Sequence, residues 1–244
     1  MIKANTMTPA EQAISERAIA HAKSQKKKVA GLLTDLTIYT PEQNPVAVFM
    51  SGSPGAGKTE AALSLIESFG SVVLIDPDSF RDYFDEYDGS NAWLFQGAVS
   101  ILVEKVLDFA FKRNLTFLLD GTLTNAAKAR ANIERCLKRD RFVQIIYVYQ
   151  DPLLAWNFVQ AREVTEGRRI RPENFIDQYF EARNVVNMLK TEFKSNIRVD
   201  LLVKNVDNSS RFYKMNVDSI DRHIPEKHSR ADLEQKLLTS GESK

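Results

Sequence analysis

One cysteine in 244 residues, Cys136, leaves no partner for an internal disulfide and suits a reducing compartment. Three histidines, His21, His223 and His228, are scattered along the chain, and with so few thiols no zinc-binding pattern can be assembled. No apolar run approaches the ~20 residues that a membrane helix needs. The first residues, Met1-Ile-Lys-Ala-Asn5, lack the apolar stretch of a secretory signal. The chain is therefore expected in the cytoplasm, away from membranes. Excess charge is missing too: 33 Lys and Arg stand against 32 Asp and Glu. That balance argues against a dedicated nucleic-acid binder but leaves room for a local basic cleft. With 43% hydrophobic residues the chain has enough apolar surface for one sizeable core.

Glycine is also sparse, at ten residues, and three of the ten fall within six positions. Gly52, Ser53, Pro54, Gly55, Ala56, Gly57, Lys58 and Thr59 form a complete G-x-x-x-x-G-K-[ST] phosphate-binding loop. Its glycines allow successive backbone N–H groups to converge on a phosphate. Lys58 brings a positive charge to the outer phosphates. Thr59 offers a hydroxyl to Mg²⁺ at a helix N-terminus. An apolar strand over 46–50 precedes the loop and a helix over 60–67 follows it, which is the context this motif requires.

Around the loop, strands and helices alternate. Further apolar strands are predicted over 71–75, 115–119 and 142–149, with helices over 92–113 and 125–139. Two more helices, 152–167 and 172–193, are split by a basic connector. The fold expected is α/β: a P-loop kinase-type parallel sheet flanked by helices. Before it, residues 9–36 read as a helix that Gly31 could interrupt, opened by a Thr8–Glu11 capping box. Its basic run Lys23–Lys28 reads first as a solvated face. After the sheet, a strand over 198–203, a hairpin partner over 211–216 across the turn at 207–210, and a short helix beyond Ser229 form a C-terminal extension that frays over 241–244. The expected division is an N-terminal helical segment (1–45), a kinase domain (46–223) and a tail (224–244).

Three constellations accompany the loop. Asp76-Pro-Asp-Ser-Phe80 follows the second strand, expected next to the loop-bearing one, where a carboxylate can orient an acceptor hydroxyl and take its proton. Asp78 is the choice for that base, against a plain N-cap role for the following helix. Asp120-Gly-Thr122 follows the third strand; Asp120 suits a substrate hydroxyl, a Walker B-type metal role or a turn cap equally. Arg162, Arg168, Arg169 and Arg171, with Arg183 downstream, can serve as a lid that stabilises charge on a transferring phosphoryl group. Tyr83, Tyr87, Trp93 and Phe95 read as core before they read as stacking platforms.

In order and spacing, the loop, Ile75-Asp-Pro-Asp-Ser-Phe80, Leu119-Asp-Gly-Thr122 and Arg169-Ile-Arg-Pro172 resemble the zeta-toxin family of P-loop kinases over roughly residues 30–190. The resemblance implies ATP and Mg²⁺ as cofactors, and transfer to the 3′-hydroxyl of the amino sugar in UDP-N-acetylglucosamine or a related UDP-sugar. It implies a toxin restrained by a small antitoxin protein. It also implies Asp78 as base, Lys58 and Thr59 on phosphate and metal, Arg169 and Arg183 on the ATP phosphates, and Asp120 with Thr122 on the acceptor. One departure is plain: the family carries Glu where this chain has Asp120, shorter by one methylene. Two other readings use the same parts. A polynucleotide 5′-hydroxyl kinase would need a basic channel. A regulatory switch would hold or hydrolyse ATP with Asp78 as a mere cap.

Overall fold

The computed structural model describes residues 7–167, 169–207, 209–224 and 227–239. The N-terminal stretch 1–5, Arg168, Asn208 of the expected hairpin turn and the tail 241–244 lie outside the described residues. Helix α1 (Pro9–Leu33) starts with both halves of its capping box in place, Thr8 N–H donating to Glu11 Oε2 at 2.7 Å and Glu11 N–H to Thr8 Oγ1 at 3.3 Å. It runs through Gly31 without a break. Its last carbonyls are collected by a guanidinium from elsewhere in the chain: Arg113 donates to the carbonyls of Gly31 and Thr34. Lys23, Lys27 and Lys28 are exposed and Lys26 is half-buried, as a solvated face requires.

The sheet is built from β1 (Val46–Ser51), β2 (Val73–Ile75), β3 (Phe117–Leu119), β4 (Phe142–Tyr149), β5 (Arg198–Lys204) and β6 (Ser210–Lys214), in the order β2-β3-β1-β4-β5-β6. The first five are parallel and β6 closes the edge antiparallel to β5. β3, not β2, is therefore the neighbour of the loop-bearing strand. β2 and β3 are also shorter than their apolar runs, because the flanking residues bond elsewhere. Val72 N–H bonds back to Gly70 O, and Leu115 N–H closes onto Ala110 O.

Alternation along the strands fills two cores, as expected of a parallel sheet covered on both faces. Ala47, Phe49, Ile145, Tyr147 and Val199 face α1, α3 (Gln96–Lys112), α4 (Ala126–Leu137) and α6 (Pro172–Phe193). Val48, Met50, Ile146 and Val148 face α2 (Lys58–Phe69). A third cluster, with Trp156, Phe175, Tyr179, Leu233 and Leu237, joins α5 (Pro152–Glu166) to α6 and α7 (Arg230–Thr239). Among the described residues no helix is long and apolar enough to cross a membrane. The thiol of Cys136 is buried, and that burial pushes its pKa up to about 12, which makes it a core residue without reactivity.

Candidate active site

Parallel pairing sends the C-terminal ends of β1, β2 and β3 to one edge, and the phosphate loop, the Asp76–Phe80 segment and the Asp120–Thr122 segment meet there. At the end of β1 the chain turns so tightly that side chains are excluded. At Gly52 (φ +135) a Cβ would stand 2.3 Å from Val148 O on β4, and at Gly55 (φ +72) 2.1 Å from Ala155 O on α5. The loop is thus pressed between the neighbouring strand and helix, with Ser53, Pro54 and Ala56 buried. Gly57, also left-handed at φ 83, starts α2, so that Lys58 and Thr59 occupy its first turn. Lys58 Nζ donates to Ser53 O at 2.7 Å, within its own loop.

Thr59 Oγ1 donates to Asp120 Oδ2 at 2.7 Å. That contact follows from the strand order, since β3 lies directly beside β1. Asp120 is buried at 6% exposure, and its backbone N–H donates to Ile75 O at 2.9 Å, tying it to β2 as well. Burial raises its carboxyl above the ordinary value; Thr59 and Lys58 pull the other way, and the charges of Asp78 and Glu60 add to the rise. Asp78 and Asp120 are therefore close enough to feel each other. Ser51 Oγ donates to Thr122 O at 3.1 Å, and the Thr122 and Thr124 hydroxyls are 3.2 Å apart, fixing the segment beyond Asp120 against the end of β1.

Asp76 holds the turn after β2: its Oδ1 accepts from Asp78 N–H at 2.8 Å and its carbonyl from Ser79 Oγ at 2.8 Å. Asp78 stands at the N-cap position of the 3₁₀ turn Ser79–Tyr83 but makes no side-chain capping bond. Its carboxylate is ion-paired with Arg81 instead and is 41% exposed. Of the nearby aromatics, Phe95 is buried with Tyr87 edge-on to it, whereas Tyr83 and Trp93 are exposed.

A cavity of about 220 Å³ lies over the loop, between Gly55, Gly57, Lys58 and Thr59 on one side and Phe158, Ala161, Arg162 and Thr165 of α5 on the other. Arg162, on α5, lines it. Arg169 is 71% exposed on the connector, 3.6 Å from Glu163. Arg183, on α6, is paired with Asp221 at 3.0 Å, and neither it nor Arg169 lines the cavity. Sequence offered one signal for Arg162: it opens the group of arginines that follows the fourth strand. The rotation that turns it toward the loop is set by packing.

The donor set suits Mg²⁺. A threonine hydroxyl whose proton is taken by a buried carboxylate presents its lone pairs outward. Mg²⁺ characteristically takes one or two such protein oxygens and completes its shell with water and phosphate. Among the described residues no group of three or more His, Cys, Asp or Glu is placed to hold a metal ion.

Comparison with known proteins bears on the family and the fold. A family model described as Zeta toxin matches residues 29–218. The fold is that of the PezAT chromosomal toxin–antitoxin system of Streptococcus pneumoniae, at 18% identity over 91% of this chain and 94% of that one, with a TM-score of 0.65. It is shared by AvrRxo1-ORF1:AvrRxo1-ORF2 with sulphate ions, at 14% identity, 90% and 73% coverage and a TM-score of 0.59. The same AvrRxo1 complex with ATP matches at 14% identity, 88% and 72% coverage and a TM-score of 0.56. At such identities the likeness establishes the fold. No curated protein matches the chain in sequence.

Proposed function

The chain belongs to the zeta-toxin family, and from that premise we propose that it is an ATP- and Mg²⁺-dependent kinase whose acceptor is a hydroxyl of a UDP-activated amino sugar, UDP-N-acetylglucosamine or a close relative. The observation that carries this reading is the convergence at one sheet edge of the phosphate loop, the Thr59–Asp120 pair and the Asp78 carboxylate.

Mg²⁺-ATP supplies the phosphoryl group and neutralises its charge. The chain supplies position. Loop N–H groups bind phosphate oxygens, and Lys58 exchanges the carbonyl of Ser53 for a phosphate oxygen. Asp78 orients the acceptor hydroxyl and accepts its proton. Arg162 faces the loop across the cavity and is the best placed of the described arginines for the phosphates; Arg169 and Arg183, the family carry-overs, would have to approach as the connector closes. Thr122, held against the end of β1 through Ser51, is the residue assigned to the acceptor. Asp120, the residue that the family replaces with Glu, supports Thr59 here, and this contact favours a metal role over an acceptor role.

Residues 76–88 contain Asp76, Asp78, Asp82, Asp85, Glu86 and Asp88 against a single basic residue, Arg81. Even with Asp78 paired to Arg81 and Glu86 to Arg17, the segment keeps a net negative charge, which disfavours a polynucleotide strand and favours a small acceptor over a nucleic-acid 5′-end. We extend the reading to a cytoplasmic toxin neutralised by a small antitoxin protein, in keeping with the family and with the toxin–antitoxin assembly that shares its fold.

The test is a transfer assay with ATP and Mg²⁺, offering a set of UDP-sugars and a 5′-hydroxyl oligonucleotide. The expected product is a UDP-amino sugar heavier by one phosphoryl group. Phosphorylation of the oligonucleotide alone would overturn the acceptor class. ATP binding with no acceptor modified would count for a regulatory switch.

A further inference from the structure

The fold buries a guanidinium beside the proposed base. Arg81 is 8% exposed, in a short 3₁₀ turn whose neighbours Phe80 and Phe84 are anchored in the core. Its terminal nitrogen Nη1 is ion-paired with Asp78 Oδ1. Its Nε is buried with no hydrogen-bond partner among the described residues. For stability alone this is a poor arrangement. A buried donor left unmet costs roughly 1–3 kcal/mol, and an apolar side chain of similar volume commonly does as well or better in place of a buried charge.

The partner of that costly group is Asp78. Asp78 occupies the N-cap position yet does not cap the turn, so the helix end does not fix its carboxylate. Arg81, three residues on, reaches it from the protein interior, on a backbone held by Arg81 N–H to Asp78 O at 3.2 Å. A planar guanidinium with fixed donor directions selects one orientation of a carboxylate; a flexible ammonium does not. The carboxylate meanwhile remains 41% exposed, open to an acceptor.

We propose that Arg81 is a positioning residue for the transfer reaction: buried and rigid, it holds the Asp78 carboxylate in the rotamer that meets the acceptor hydroxyl. The inference rests on the reading of Asp78 as the base. Misplacing a reacting group by about an ångström costs roughly 10²-fold in rate, which sets the size of the effect.

The test uses the full chain and two readouts. The first needs no acceptor. Side-chain NMR couplings of Asp78 should report one χ1 rotamer in the wild type and rotamer averaging in Arg81→Met. A single unchanged rotamer in Arg81→Met overturns the inference. The second is transfer to UDP-N-acetylglucosamine. Arg81→Met should lower kcat by about 10²-fold, with ATP affinity and acceptor KM nearly unchanged and with a melting temperature no lower than that of the wild type. Arg81→Lys should recover only part of the rate. In the double variant Asp78→Asn/Arg81→Met the second substitution should add nothing, because its effect runs through Asp78. A lowered melting temperature with all kinetic constants impaired together would make Arg81 a structural residue and overturn the proposal. Undiminished transfer in Asp78→Ala would overturn the base reading instead, a result that the Asp78 couplings keep distinct.

Discussion

At the scale of single residues the phosphate loop was legible without a structure, because its chemistry is local: three glycines, a lysine and a threonine at fixed spacing. What sequence could not supply is why two of the glycines tolerate nothing else. Gly55 is held 2.1 Å (by a would-be Cβ) from Ala155 O, an approach made by a helix about a hundred residues away. Gly55→Ala should therefore destabilise the fold by about 1–3 kcal/mol, read as a lower urea midpoint, in addition to disturbing phosphate binding. Asp120 illustrates the opposite case. Its pattern allowed a metal, an acceptor or a turn-capping role, and only the Thr59 contact separates them. Asp120→Asn should remove a buried charge and raise the melting temperature of the nucleotide-free protein at neutral pH. The same change should cut the gain in ATP affinity that Mg²⁺ confers by roughly 10–100-fold, leaving metal-free ATP binding nearly as it was. Retention of the Mg²⁺ gain with a raised acceptor KM would return Asp120 to the acceptor. Isothermal titration with and without Mg²⁺ decides between them.

At the scale of elements the alternation of strands and helices was readable from apolar runs and from start signals such as Thr8–Glu11. Boundaries moved where a backbone group found a partner outside its ladder, as at Val72 and Leu115. Helix rotation was not readable. The basic connector was visible as a group of arginines, yet it is packing of α5 beside the loop that brings Arg162 to the cavity and leaves Arg183 ion-paired with Asp221. Arg162→Ala is expected to weaken ATP binding by about tenfold or more, the scale of one charge-assisted hydrogen bond. Arg183→Ala should weaken it less. Equal losses would place both on the nucleotide in the closed state. Fluorescence titration with a labelled ATP analogue measures both.

At the scale of the whole molecule, fold class followed from continuous apolar strands, but strand order did not, since parallel pairing leaves no mark on periodicity. Order matters for chemistry here: β3 beside β1 puts Asp120, and not Asp76, against Thr59. Order also creates a buried anchor at the far edge. Asp200 on β5 is fully buried, and it accepts from Gln144 at 2.5 Å, Tyr213 at 2.6 Å, the Asn216 N–H at 2.7 Å and Arg198 at 2.8 Å. Burial pushes its carboxyl up, but these donors outweigh it and hold it below its ordinary value of 3.8. A depressed folded value means that the unfolded chain takes up the proton first. The stability Asp200 gives is therefore complete above the ordinary value and lost as pH falls from there through the folded value. Urea midpoints should drop over that acid range in the wild type, and Asp200→Asn should start lower and drop less. A parallel pH dependence in the two proteins would remove Asp200 from the acid transition.

Asp78 is the group proposed to receive the acceptor proton. Its most direct test compares the wild type with Asp78→Ala for ATP affinity and for transfer to UDP-N-acetylglucosamine under identical Mg²⁺. The expected result is unchanged ATP affinity with transfer lowered by about 10²–10⁴-fold, the contribution of a positioned general base. Transfer at the wild-type rate in Asp78→Ala would contradict the account.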